Sequence, residues 1–168
     1  LHVLPILQDY LNQWPESRAE IYFSDDYSDL VKDAFDLAIR IGGNDDSRLV
    51  RRVLAPHRLV TCESPDYLEK YGTPEKIEDL YSHRLLGFAH QGMAVPWHFK
   101  VNNECYDFPV RGQTLLGNTE AITDAALAGF GICHVGAFLV GKHIVDGSLI
   151  PILQQYSYAE APICAVYP

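Results

Sequence analysis

Cations are scarce in this sequence. Lys and Arg together number 13 against 22 Asp and Glu, a formal net charge of -9, whereas gripping a phosphate backbone takes clustered positive charge. The chain alone is therefore not expected to hold DNA. Long apolar runs are missing as well: none approaches the roughly 20 residues that cross a bilayer, so no membrane span is expected. Leu1 to Leu7 lack the charged start and cleavage site of a secretory signal. The four cysteines, Cys62, Cys105, Cys133 and Cys164, form no CxxC pair, which removes the usual zinc and thioredoxin spacings. Each lies in or beside an apolar run, where a free thiol behaves as a small hydrophobe. A reducing, cytoplasmic setting and buried structural thiols are the expectation.

Catalytic signatures are equally thin. Cys133 and His134 are neighbours in a predicted strand, so their side chains leave opposite faces and cannot serve as nucleophile and base to each other. The seven His residues include no HExxH and no tight pair at metal spacing. Gly129 and Gly131 do not continue to GxGxxG, and no GxxxxGK loop is present. Neither an enzyme nor a bound metal or cofactor is expected.

What is present is a globular α/β pattern. The 168 residues are 48% hydrophobic, enough for one domain or two small lobes. Leu4, Leu7, Leu11 and Trp14 recur at helical spacing until Pro15 stops them. Ala19 to Phe23 alternates like a strand, a short helix is expected through Leu30, Val31 and Ala34, and Asp36 to Ile41 forms a second strand ending in Gly42-Gly43. This alternation predicts a parallel sheet with covering helices. Val50 to Leu54 and Arg58 to Cys62 look like two strands separated by a crossing at Ala55-Pro56-His57. Ser64-Pro65 and Thr73-Pro74 each mark a helix start, because Pro suits the first helical position. Short strands are expected at Arg84 to Phe88, Trp97 to Val101, Tyr106 to Val110 and Gln113 to Leu116. Asn118 should cap a helix that ends at Gly129-Phe130-Gly131. A strand from Ile132 to Val135, a helix near Ala137 to His143, and strands at Leu149 to Leu153 and Ile163 to Tyr167 complete the pattern.

In open α/β sheets ligands bind beyond the carboxyl ends of the strands. Arg40 sits at such an end beside glycines, either as an anion contact or as a structural partner of Asp36 or Asp46. Asn118 and Thr119 begin a helix whose free N–H groups either hold a carboxylate or are simply capped. Ser24 and Asp25 fit a turn or the lip of a pocket equally well.

Phe35-Asp36-Leu37-Ala38-Ile39-Arg40-Ile41-Gly42, Ser64-Pro65-Asp66-Tyr67-Leu68, Tyr71-Gly72-Thr73-Pro74 and Glu78-Asp79-Leu80 closely resemble successive motifs of LysR-type transcriptional regulators. His83, Trp97, Asn118-Thr119-Glu120-Ala121, Ala128-Gly129-Phe130-Gly131-Ile132, Gly147-Ser148-Leu149 and Ala165-Val166-Tyr167-Pro168 continue the resemblance in order. It implies a type 2 periplasmic-binding-protein fold, with lobe one at 1–57 plus 160–168 and lobe two at 58–159. A small, anionic effector would lie between the lobes, against Ser24, Asp25, Arg40, Ile41, Gly42, Ser64, Gly117, Asn118, Thr119, His134, Val135 and Gly136. The resemblance further implies a homodimer or homotetramer, and DNA contact only through a winged helix-turn-helix ahead of this chain. It also implies a strand and a Ser- or Thr-rich helix start before Leu1. A periplasmic solute-binding protein of a transporter shares the architecture and is the alternative.

Overall fold

The structure is a computed structural model describing residues 2–23, 30–42, 48–111 and 114–168, with Glu160 described by its backbone alone. It divides into two compact units, Leu1–Ala34 and Phe35–Pro168.

In the first unit, helix α1 spans Val3–Gln13. It ends where Pro15 forbids a further turn, with the Trp14 N–H still bonded to the Tyr10 carbonyl at 2.9 Å. Residues 19–23 form no ladder, against the expected strand, and Tyr22 and Phe23 are 69% and 83% exposed. Alternation alone makes no strand, because an extended segment is stabilised only by a neighbour that takes its backbone hydrogen bonds. The expected helix near Leu30 is a turn, closed at Ala34 with φ +56°.

The second unit holds β1 (Ala38–Ile41), β2 (Val50–Glu63), α2 (Pro65–Tyr71), a 3-10 turn (Ile77–Ser82), β3 (Leu85–His90), β4 (Met93–Ala94), β5 (Trp97–Val101), β6 (Glu104–Phe108), β7 (Thr114–Leu116), α3 (Thr119–Leu127), β8 (Ile132–Gly136), α4 (Ala137–Val145), β9 (Ile150–Ile152) and β10 (Ala159–Tyr167). Eight of these strands form one sheet along the path β1-β10-β2-β8-β3-β4, with β7 beside β3 and β9 beside β2; β5 and β6 make a separate hairpin.

Where two strands and a crossing were expected, β2 is a single strand of 14 residues. Its first half pairs with β10 and its second half with β8 and β9. The register with β10 slips between Glu160 and Ile163, opposite Pro56. Pro56 and Pro162 have no N–H to give to a ladder, so the irregularity falls where they meet and the strand runs on through it. The helix expected from Thr73-Pro74 begins only at Ile77, as a 3-10 turn, with Asp79 Oδ2 accepting the Glu75 and Lys76 N–H groups at 3.0 and 3.1 Å.

Around β3, β8 and the second half of β2 the sheet is buried on both faces, whereas β1 and the first half of β2 are largely exposed. Leu85 and Ile132 point to a core shared with Tyr67, Leu80, Trp97, Phe99 and Phe108. The adjacent Leu86, Cys133 and Val135 point to a second core under α3 and α4, with Ile122, Ala126, Leu139 and Val140. Strands covered on both sides are apolar at successive positions, as Leu85-Leu86 and Ile132-Cys133 are. Phe99 and Phe108, 1% and 0% exposed, each contribute roughly 1.5–3 kcal/mol of burial. Cys62, Cys133 and Cys164 are buried, but Cys105 is exposed, contrary to expectation, because its position on β6 faces away from the core. Among the described residues no helix is long and apolar enough to cross a membrane.

A candidate effector site at facing strand ends

Sheet register alone places two sets of strand ends opposite each other. β1 is antiparallel to β10, and β10 is antiparallel to β2, so β1 and β2 run the same way. β8 opposes β2, while β3 runs parallel to both β8 and β7. The carboxyl ends of β7, β3 and β8 therefore point back along β2 toward the carboxyl end of β1. Ile41 lies level with Ile163, which is level with Ala55, and Gly136 is level with Leu59. Four residues of strand separate the two levels, about 13 Å at the usual rise. That spacing suits a small molecule.

On the β1 side, Arg40 is half-buried with Nε and Nη2 shielded from water, and it stands in register with Cys164. Gly42 takes φ +78° while its N–H bonds to the Pro162 carbonyl at 2.8 Å. A side chain is disfavoured in that conformation, which accounts for the glycine. The Ile41 side chain is 38% exposed.

On the facing side, β7 leads through Gly117 into α3, whose cap is Asn118. Its Oδ1 accepts the Ala121 N–H at 2.9 Å. Thr119 and Glu120 keep N–H groups with no partner inside the helix. Gly136 caps α4 and offers no side chain to that helix's first N–H groups. Two helix starts thus open on the same edge, each with a partial positive charge. The ring of His57, 5% exposed, covers Gly136: a β-carbon there would sit 2.9 Å from His57 Nε2 and would collide with the Phe138 ring. Sequence reading missed His57. The clue was available, since it lies in the Ala55-Pro56-His57 stretch expected to join the lobes.

Three expected site residues are placed elsewhere. Ser64 caps α2, its hydroxyl accepting the Tyr67 N–H at 3.4 Å and donating to Glu63 Oε1 at 3.0 Å. It lies against Gly129, at the opposite end of α3 from Asn118, so its hydroxyl serves the helix start and does not reach the facing edge. His134 points away from α3, with Nδ1 2.8 Å from Thr61 Oγ1 and its ring stacked on Trp97 at 5.2 Å. Alternation along β8 forces this, because Cys133 and Val135 take the other face. Val135 is 2% exposed and belongs to the core. Ser24 and Asp25 lie outside the described residues.

The chain matches the LysR substrate binding domain over residues 1–168. It is 32% identical over 168 residues to an uncharacterized HTH-type transcriptional regulator of Haemophilus influenzae, covering 100% of this chain and 58% of that protein. It is 33% identical over 169 residues to the HTH-type transcriptional regulator CrgA of Neisseria meningitidis, covering 99% of this chain and 56% of CrgA. The solved structure of the CrgA regulatory domain, a LysR-type transcriptional regulator, superposes with a TM-score of 0.87 at 30% identity, over 99% of this chain and 81% of that one. The chain spans a little over half the length of these two curated relatives. Its sheet order, its capped helices and these matches together make it a member of the LysR substrate binding domain family, the effector-binding domain of LysR-type transcriptional regulators, with a type 2 periplasmic-binding-protein-like fold.

Proposed function

We propose that this domain senses a small anionic effector held between the carboxyl end of β1 and the facing ends of β7, β3 and β8. The observation that carries the reading is the opposition of those ends across β2, with the Arg40 guanidinium on one side and two helix starts on the other. All three are sources of positive potential, and water-shielded guanidinium nitrogens bind carboxylates well. Lobe one would comprise 1–57 plus 160–168 and lobe two 58–159, joined through β2 and β10. Two crossing strands are few enough to flex, so an effector that prefers one lobe spacing would bias it by its difference in affinity between the two spacings. No bond is broken in this reading.

The relatives are helix-turn-helix regulators roughly twice as long as the chain. The remainder of such a protein would read DNA, and the domain would pair with a second copy in a cytoplasmic homodimer or homotetramer. A thermal-shift screen of small carboxylates and aromatic acids, followed by calorimetry on the hits, tests the site. Arg40→Ala should weaken an anionic hit about tenfold or more in a variant that still unfolds cooperatively. Undiminished binding by that variant would remove Arg40 from the site, and hits confined to neutral molecules would overturn the anionic reading.

A further inference from the structure

The β5–β6 hairpin has two chemically distinct faces. Trp97, Phe99 and Phe108 turn into the core, so the alternate residues His98, Asp107 and Cys105 turn outward. His98 stands directly opposite Asp107, and Cys105 follows two residues before it on the same face of β6. Three different donor types are thereby brought together. Nδ1 of His98 is 2.7 Å from Asp107 Oδ1, Cys105 Sγ is 3.5 Å from that oxygen and 4.0 Å from the His98 nitrogen. All their ligand atoms lie within 4.8 Å of one another. Tyr158 and Ala161 complete the rim of an open hollow above them.

We propose that His98, Cys105 and Asp107 bind a divalent transition-metal cation, with zinc as the reference ion. Ligand atoms at the usual zinc bond lengths of about 2.0–2.3 Å sit roughly 3.3–3.7 Å apart around a tetrahedral ion. The three separations here straddle that range, so small side-chain rotations close the site. A thiolate and an imidazole together disfavour magnesium and calcium, which take oxygen donors, and favour zinc, cobalt or copper. Binding forms a metal–sulfur bond and releases the Cys105 thiol proton to solvent, leaving the fourth position to water. The ion would tie β5 to β6 at the outer face of the hairpin.

Titration of the reduced protein with Co2+ under anaerobic conditions tests this directly. The expected result is a single equivalent producing a thiolate-to-cobalt charge-transfer band and the intensified visible bands of a tetrahedral ion, both erased by one equivalent of Zn2+. Cys105→Ser should abolish the charge-transfer band, and His98→Ala and Asp107→Asn should each lower affinity tenfold or more. All three substitutions are on the outer face, and thermal melting confirms that the variants fold. Absence of the band in the unsubstituted protein, its survival in Cys105→Ser, or unchanged affinity in either of the other variants would overturn the site.

Discussion

The carboxyl group of Glu63 is fully buried, and its Oε1 accepts both the backbone N–H and the hydroxyl of Ser64, at 2.7 and 3.0 Å. Those two bonds favour the charged form, but burial outweighs them and pushes the group up to about 7 from 4.5. Oε2 has no hydrogen-bond partner among the described residues. A raised value in the folded state means that folding binds a proton. Stability from this group is thus complete below about 4.5 and is lost as pH rises toward 7. Glu63→Gln keeps the acceptor oxygen and removes the charge. Denaturant titrations should show it matching the parent protein near pH 4.5 and exceeding it above pH 7, by on the order of 3 kcal/mol.

Gly131 and Gly141 should respond to alanine in opposite directions. A β-carbon on Gly131 would meet the Arg84 carbonyl oxygen at 2.6 Å and its carbon at 3.0 Å, whereas one on Gly141 meets nothing within 4 Å. Backbone cannot move aside as a side-chain tip can, so Gly131→Ala should cost about 1–3 kcal/mol. Gly141 lies inside α4, and Gly141→Ala should stabilise by roughly 0.5–1 kcal/mol through helix propensity. Thermal melts of the two variants check both signs.

Capping and effector binding by Asn118 can be separated. Asn118→Ala removes the acceptor for the Ala121 N–H and should cost about 1 kcal/mol of stability. Asn118→Asp keeps the cap but sets a negative charge at the α3 start. It should melt near the parent protein while weakening an anionic effector in calorimetry; unchanged affinity would move the effector away from this helix.

Tyr67 is a structural tether. It is 3% exposed, and its hydroxyl accepts the Arg84 N–H at 3.0 Å and lies 3.3 Å from His83 Nδ1. Tyr67→Phe keeps the ring in the core and leaves the Arg84 N–H without that acceptor, a loss of about 1–2 kcal/mol. Hydrogen exchange at Arg84 should accelerate in the variant.

Much of the fold was legible in local sequence. Asn118 and Ser64-Pro65 announce α3 and α2 because a cap and the first helical turn are decided by residues three or four apart. Strand β5 and helix α4 were readable by alternation and helical spacing for the same reason. Legibility failed at Ala19 to Phe23, where alternation lacked a partner strand, and at Pro56, where the irregularity was shared with Pro162 instead of ending the strand. Ser64 also shows the limit of reading a site from residue order: the same hydroxyl that suits a ligand is already committed to its own helix.

The site divides along the same line. Arg40 at a strand end, Asn118 at a helix start and Gly136 at the next are each inferable from their immediate neighbours, since such preferences act over a turn or two of chain. Their facing arrangement is not, because it follows from the order of β1, β10, β2 and β8, and that order rests on pairings such as Cys62 with Cys133, 71 residues apart. Cross-strand register within one hairpin joined His98 to Asp107 and Cys105, and burial in the folded chain raised the pKa of Glu63. Local chain preferences are properties of adjacent residues; which distant residues share a face is settled only when the sheet closes, and the effector site is built from such distant neighbours.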